Sequence, residues 1–441
     1  MTQFLFASNA SGATSESLAV TAGSIRRLGF GTKHWYLSTT GGSTPTASGA
    51  SGLPVSSRRI ALGDHPSAEW VVFAPAGDKV SPDALRAARQ AADDVDVIYG
   101  DTRHEVKRAD KLPTFQRRPS YSPERLRSHD YIGGFVMARR RTVDAAGGLE
   151  LLVSTDSHDR NLRLCEQARS VLRVAEIVNF TPSNNFLPGA NPHAVREHLS
   201  RVGIAADIDF DNATPCVRVR RRLSRRPLVS VVIPTRGSSA ELRGKHTPLV
   251  VNTVRTMLEK STYQELEFIV VADTPTPPEV RTALTQLAGE RLTIVDYDQA
   301  FNFAVKNNIG VAHSNGEFIL LLNDDTEIIT PDALETMLSF FEDPTIGIVG
   351  PILHFEDGTI QSAGHVFSPD PTDMYRLQPA DTRGAHNYLR VQREASSVIA
   401  ACLMTSRKAF EAVGGLSTQF PANWNDVDFA LKVQQAGYRD R

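Results

Sequence analysis

A chain of 441 residues with 41% apolar and 22% charged side chains has the make-up of a globular protein with two or three domains. Its net charge of −2 gives no general pull toward nucleic acid. The three cysteines, Cys165, Cys216 and Cys402, are far apart and form no CxxC, which argues against a zinc site or a disulfide framework and fits a reducing, cytoplasmic setting.

The elements alternate from the start. Gln3 to Ala7 reads as a strand, not a signal peptide, because no basic segment precedes it and no long apolar core follows. No run of about 18 apolar residues exists to span a membrane. Ser17 to Leu28 has helical spacing, His34 to Leu37 is a short strand, and Thr39 to Ser57 is a Gly/Ser/Thr/Pro-rich loop. Glu69 to Ala74 is a strand, Pro82 to Ala92 a helix, and Asp96 to Tyr99 a strand. Lys107 to Arg127 reads as polar, basic and irregular. Ile132 to Met137 is a strand, Arg141 to Ala146 a helix stopped by Gly147-Gly148, and Arg160 to Ala168 a helix. Residues 188–226 read as a connector containing one helix, Pro192 to Arg201, and closing on Arg218, Arg220, Arg221, Arg222, Arg225 and Arg226. Such a run is more often a solvated linker than a contact for phosphate or anionic lipid, though peripheral contact with the inner membrane face stays open.

A second α/β unit starts at Leu228 to Ile233, a buried strand ending at Pro234-Thr235-Arg236. Thr247 to Lys260 is a helix, Leu266 to Val271 a strand ending at Asp273, Pro278 to Ala288 a helix, Leu292 to Val295 a strand and Phe301 to Ala312 a helix. Phe318 to Leu322, five apolar residues in a row, is a strand buried on both faces that stops at Asn323-Asp324-Asp325. Acids at the carboxyl end of such a strand sit where open α/β sheets bind ligands, and carboxylates suit Mg²⁺ or Mn²⁺. A helix from Pro331 to Glu342 follows, then strands at Ile346 to Val349, Ile352 to Phe355 and Ser397 to Met404, and helices at Arg407 to Val413 and Asn425 to Ala436. This alternation predicts α/β architecture with mixed, mostly parallel sheets.

The two halves match each other. The strand and Pro-Asp-Ala-Leu helix start at Glu69 to Leu85 recur at Glu317 to Leu334, and Val136 to Leu149 aligns without a gap on Leu403 to Leu416. Asp324-Asp325 correspond to Ala76-Gly77, and Asp426 to Ser157, so the first half keeps the scaffold without the acids. It is expected to bind no nucleotide.

Seven stretches carry a resemblance: V-S-V-V-I-P-T-R-G (229–237), I-V-V-A-D-T-P (269–275), F-N-F-A-V-K-N-N-I-G (301–310), G-E-F-I-L-L-L-N-D-D-T-E (316–327), D-G-T-I-Q-S-A-G (357–364), A-C-L-M-T-S-R-K-A-F-E-A-V-G-G-L (401–416) and N-D-V-D-F-A-L-K-V-Q-Q-A-G-Y-R (425–439). Together they resemble the family 2 glycosyltransferases of the GT-A fold, of the kind that assembles bacterial surface polysaccharide such as O-antigen. The resemblance implies two tandem GT-A-like, Rossmann-like domains: residues 1–187 as a degenerate copy, 188–226 as connector, and 227–441 as the transferase domain. It implies Pro234, Thr235 and Arg236 in the nucleotide pocket, Asp273 at the base, and Asn308 and Asp324 near the donor. Asp325 would hold Mg²⁺ or Mn²⁺, and Asp426 would be the general base of an inverting transfer from a nucleotide sugar to a glycan or lipid-linked acceptor. Family members continue past this point with a strand and a histidine-bearing segment, so 227–441 is expected to be truncated at its C-terminus. Taken singly, Asp273 reads as a turn residue and Asp426 equally as a first-turn helix acid; Asn307 and Asn308 read as helix amides bonding nearby backbone. His354 and His365 read as ordinary strand residues. The alternative function is a non-catalytic nucleotide-sugar-binding or scaffolding protein of a polysaccharide assembly complex.

Overall fold

The computed structural model describes residues 3–31, 34–38, 67–105, 113–182, 189–367 and 369–440. The loop expected at Thr39 to Ser57 lies outside them. The chain divides into two units, Met1–Val219 with Ala385–Gln392, and Arg220–Gly384 with Arg393–Arg441.

In unit 1, β1 (Gln3–Asn9) is buried along its centre because Phe4, Leu5 and Phe6 feed both faces of the sheet. In α1 (Ser15–Arg27), Thr14 caps the helix by accepting from Ser17 N, and Leu18, Ala22 and Ile25 form the inward stripe. β2 (Trp35–Ser38), β3 (Ala68–Phe73) and β4 (Lys79–Val80) precede α2 (Pro82–Gln90), which starts with proline in its first turn and Ser81 as cap. Next come β5 (Val95–His104), β6 (Thr114–Gln116), α3 (Pro123–Ser128), β7 (Val136–Arg139), α4 (Arg140–Ala145), α5 (Leu149–Ser154), α6 (Ser157–Gln167) and β8 (Ser170–Thr181). α7 (Pro192–Arg201), β9 (Ala206–Asp211) and β10 (Cys216–Arg221) complete this run.

Two expectations change here. The stretch read as a connector carries core residues: Ala194, Val195, Leu199, Val217 and Val219 pack into the unit 1 cluster around Leu126 and Leu162. The segment read as basic and irregular contains α3 and a buried anchor, Arg118, whose guanidinium donates to the carbonyls of Gly100 and Tyr131 and to Thr102 Oγ1.

Unit 2 begins at β11 (Val229–Thr235), buried throughout. A hairpin of β12 (Ser239–Leu242) and β13 (Lys245–Pro248) turns on Arg243 and Gly244, both at positive φ. It is followed by α8 (Leu249–Lys260), β14 (Leu266–Asp273), α9 (Pro278–Ala288), β15 (Leu292–Tyr297), α10 (Phe303–Ala312), β16 (Phe318–Leu322), α11 (Ala333–Phe340) and β17 (Ile346–Val349). The short strands β18 (Leu353–His354), β19 (Ile360–Ser362), β20 (His365–Phe367) and β21 (Pro371–Asp373) form two small hairpins. β22 (Cys402–Ser406), α12 (Arg407–Ala412), α13 (Asn425–Gln435) and β23 (Arg439–Asp440) close the unit. Much of the arginine run is engaged within unit 2: Arg225 pairs with Glu317, Arg226 with Glu335 at 3.4 Å, and Arg221 lies over Phe340.

The two sheets share a plan. Unit 1 runs β2-β1-β3-β7-β5-β8-β4, and unit 2 runs β15-β14-β11-β16-β22-β17-β23. Laying β1 on β11 puts β2, β3, β7, β5 and β8 on β14, β16, β22, β17 and β23, and each pairing keeps its sense: parallel, parallel, antiparallel, antiparallel, parallel.

Unit 1 also buries an acid. Asp78 is 4% exposed, accepts from Asn179 Nδ2, and burial pushes its pKa up to about 6 against the hydrogen bonds and Arg118, which pull it down. A carboxyl whose folded pKa is raised favours folding below its ordinary value of 3.8, and that contribution is lost as pH climbs through about 6. We expect wild-type stability to fall between pH 4 and pH 6 by on the order of 3 kcal/mol from this group, and Asp78→Asn to remove that dependence. Denaturant unfolding at pH 4 and pH 7 measures it; an equal slope in the variant would contradict the assignment.

Candidate functional site

Three neighbouring parallel strands, β14, β11 and β16, end together, at Asp273, Thr235 and Leu322. Pairing of β11 with β16 stops at Val232, two residues before Pro234, so the chains part at the sheet edge where a proline without an N–H is tolerated. Pro234 is buried within the strand and Arg236 is exposed, its Nε donating to Ser238 Oγ at 3.0 Å.

A lysine ties these ends together. In α10, Gly310 lies so close to the sheet that a Cβ there would meet Val232 at 2.4 Å and Val271 at 3.1 Å. Lys306 is one turn earlier on the same face, and helical side chains lean toward the N-terminus, here the side of the strand ends. Its ammonium, 1% exposed, donates to the Thr235 carbonyl and to Asp273 Oδ1, both at 2.7 Å, with the Tyr297 ring at 5.4 Å. Lys306 belongs to the F-N-F-A-V-K-N-N-I-G stretch, whose resemblance implies no role for it. Its signal was a cation at a buried helical position, which requires a partner acid.

Thr235 in turn donates from Oγ1 to Asp324 Oδ2 at 2.5 Å, while Gly237 N donates to Thr235 Oγ1. Burial raises the Asp324 pKa; the Thr235 bond opposes this, Asp325 next door adds to it, and Lys306 lowers it. From α8, Thr253 Oγ1 donates to the carbonyls of Asp324 and Thr326 at 2.8 Å and so fixes the acidic loop. Glu327 accepts from Asn252 and from Arg243 at the hairpin turn, and the Arg243 guanidinium holds the Glu327 carboxyl down at about 2.

Asp325 is exposed and has no hydrogen bond or ion pair among the described residues. No group of three or more His, Cys, Asp or Glu suited to a metal occurs among those residues. One free carboxylate beside a second fits Mg²⁺ or Mn²⁺, which characteristically takes one or two protein carboxylates and completes its shell with substrate phosphate and water. A carboxyl whose pKa is raised by burial and further by the acid beside it is also what a cation would relieve.

Asp426 sits in the first turn of α13, half-buried, accepting from Ala400 N at 3.1 Å and from Val427 N at 2.8 Å. Asn323 N donates to the Ala401 carbonyl at 3.0 Å. Adjacent residues, Ala400 and Ala401, therefore hold both the acidic loop and the start of α13. The residue before that helix, Trp424, is 48% exposed and held at φ +67°, a left-handed conformation that is strained for a bulky side chain. Asn308 stands apart from the strand ends: its Nδ2 donates to the Leu416 carbonyl and its Oδ1 accepts from Leu416 N, the backbone-bonding alternative for this residue.

The Lys306–Asp273 pair makes a stability prediction. Asp273→Asn strips the counter-charge from an ammonium that is 1% exposed, whereas Lys306→Met leaves an Asp273 side chain that is 24% exposed and can hydrate. We expect the first to cost about 3–4 kcal/mol and the second about 1–2 kcal/mol. Denaturant unfolding of both variants checks the order; an equal or larger cost for Lys306→Met would overturn it.

Residues 230–414 match the family model described as Glycosyl transferase family 2. The O-antigen biosynthesis protein RfbC of Myxococcus xanthus is 29% identical over 391 residues, 84% of this chain and 30% of that protein. The uncharacterized protein y4gI of Sinorhizobium fredii is 31% identical over 389 residues, 82% of this chain and 42% of that protein. The chain thus spans less than half the length of either relative. Among solved structures, the mannosyltransferase PcManGT from Pyrobaculum calidifontis in complex with GDP-Man and Mn²⁺ shares 20% identity at a TM-score of 0.36, covering 49% of this chain and 55% of that one, a likeness too distant to argue from. Residues 230–414 thus carry the family 2 glycosyl transferase pattern, and they include the strand ends and the acidic loop described above.

Proposed function

We propose that unit 2 moves a glycosyl group from a nucleoside-diphosphate sugar to a hydroxyl of a glycan or lipid-linked saccharide, with inversion, in surface polysaccharide synthesis. The observation that carries this reading is the shared anchorage of the acidic loop and Asp426 on Ala400–Ala401, beside strand ends locked by Lys306. Asp426 takes the proton of the acceptor hydroxyl as its oxygen bonds to the anomeric carbon. The bond from that carbon to the diphosphate breaks, and the nucleoside diphosphate leaves with the electron pair. Mg²⁺ or Mn²⁺, held by Asp325, would supply Lewis-acid stabilisation of the leaving diphosphate. Thr235 orients Asp324 toward the donor, and Asp273, fixed by Lys306, faces the nucleoside. The name of the Myxococcus relative supports the polysaccharide setting. Unit 1 is read as a degenerate GT-A-like copy, supported by its matching strand order and by Ala76-Gly77 in place of the acids.

A panel of nucleoside-diphosphate sugars, each with Mg²⁺, Mn²⁺ or EDTA, tests the reading by release of nucleoside diphosphate. We expect turnover of at least one donor that EDTA abolishes. Donor binding without turnover of any of them, acceptors included, would establish the non-catalytic binding role instead.

A further inference from the structure

Unit 1 contains a cleft of about 590 Å³ at the carboxyl ends of β1 and β3, the place where open α/β sheets take ligands. Ser8 and Asn9 from β1 and Ala74, Pro75 and Ala76 after β3 form its floor. Two helices begin at its wall. The loop Ser11–Thr14, with Gly12 at φ +73°, leads into α1, and Thr155 and Asp156 lead into α6. Helices of this length present positive partial charge at their first turns.

The ionisable residues of the wall are Asp156 and Arg160. Asp156 is committed: its carboxylate accepts from His158 N and Asp159 N, offsetting the α6 dipole, and from Asn191 Nδ2 at 2.7 Å. Arg160 is not. It is 8% exposed, its Nη2 donates to the Gly134 carbonyl at 2.9 Å, and its guanidinium lies 5.2 Å from the Phe73 ring centre. Its Nε has no hydrogen-bond partner and it makes no ion pair among the described residues. Asp130, the other acid that offsets its charge, is buried and accepts from Gly133 N and Asn161 Nδ2. A buried cation whose charge Asp130 and Asp156 offset without a direct ion pair, on a wall shared with the first turn of α1, is an arrangement that an anion in the cleft complements. The rest of the wall carries small hydroxyl side chains; Ser17 Oγ donates to the Thr14 carbonyl and Thr155 Oγ1 to Asp159, and their oxygens retain acceptor capacity for the hydroxyls of a polyhydroxylated ligand. No acid stands where unit 2 has Asp324-Asp325; the matching positions are Ala76 and Gly77.

We propose that this cleft binds an anionic sugar, one bearing a phosphate or a carboxylate, without a divalent cation. The site is independent of the chemistry in unit 2, because it needs neither metal nor turnover.

The test is calorimetric titration of the full chain in EDTA with glucose 1-phosphate, glucuronate and neutral glucose. We expect saturable binding of at least one anionic sugar, one per chain, at least tenfold tighter than glucose; the tighter of the two names the anion as phosphate or carboxylate. Arg160→Gln, and Ser11→Asp on the exposed lip, should each weaken it at least tenfold while keeping the wild-type melting transition. If Arg160→Gln does not fold, Ser11→Asp decides alone. Glucose binding as tightly, no saturable binding of either anion, or affinity unchanged in the folded variants would overturn the proposal.

Discussion

Asp426→Asn is expected to lower kcat for transfer by about 10² to 10⁴-fold, the usual contribution of a positioned general base. Asparagine keeps one acceptor oxygen, enough for either Ala400 N or Val427 N but not both, so the variant's melting transition is recorded alongside to separate a loosened helix start from lost chemistry. The donor is bound by other groups, so its affinity should change less than about threefold on the ordinary scale of a peripheral contact. Steady-state kinetics with saturating acceptor, alongside calorimetric donor binding, separates these effects. A kcat within a few-fold of wild type would return Asp426 to the role of a first-turn helix acid.

Asp325→Ala should act differently. The side chain is exposed and without a protein partner, so its removal should leave the metal-free melting temperature unchanged. With Mn²⁺ and a nucleoside diphosphate at about 100 times their dissociation constant, wild type should gain about 2.7 kcal/mol of stability, and the variant should gain far less. Turnover should fall by at least about 10²-fold, as when a transition-state electrostatic contact is removed. Asp324→Asn is a useful contrast: Asp324 is half-buried and accepts from Thr235, so its loss disturbs the loop as well as the ligand. Because burial raises the Asp324 pKa, donor binding should begin to weaken on the acid side at a pH above the ordinary carboxylate value of 3.8.

The central strands were legible because each is a short apolar run between breakers. Phe318–Leu322 and Ile346–Val349 have the bounds read from their residues, as does the helix Pro278–Ala288. Other elements carried weaker patterns. β8 is half-exposed over most of its length, so its apolar residues do not stand out from their neighbours. β9 and β10 mix acidic or basic residues with apolar ones, and were absorbed into a connector reading although Val217 and Val219 are core. The β12–β13 hairpin turns on Arg243 at positive φ, where the usual Asn-Gly signal is missing. At the site, strand-end acids could be found because a buried run stops abruptly at them. Which side chain of α10 faces the strand ends could not be, since that depends on how closely Gly310 lets the helix approach. The motif marks Asn308, which bonds the Leu416 backbone, whereas the helix approach is what brings Lys306 onto the strand ends.

The most direct measurement is electron paramagnetic resonance of Mn²⁺ titrated with the full chain and a nucleoside diphosphate. The reading predicts that wild type removes one free Mn²⁺ per chain only when the nucleotide is present, and that Asp325→Ala removes none while melting as wild type does. A free-Mn²⁺ signal that wild type leaves unchanged, or that both proteins reduce equally, would contradict a cation held at Asp325.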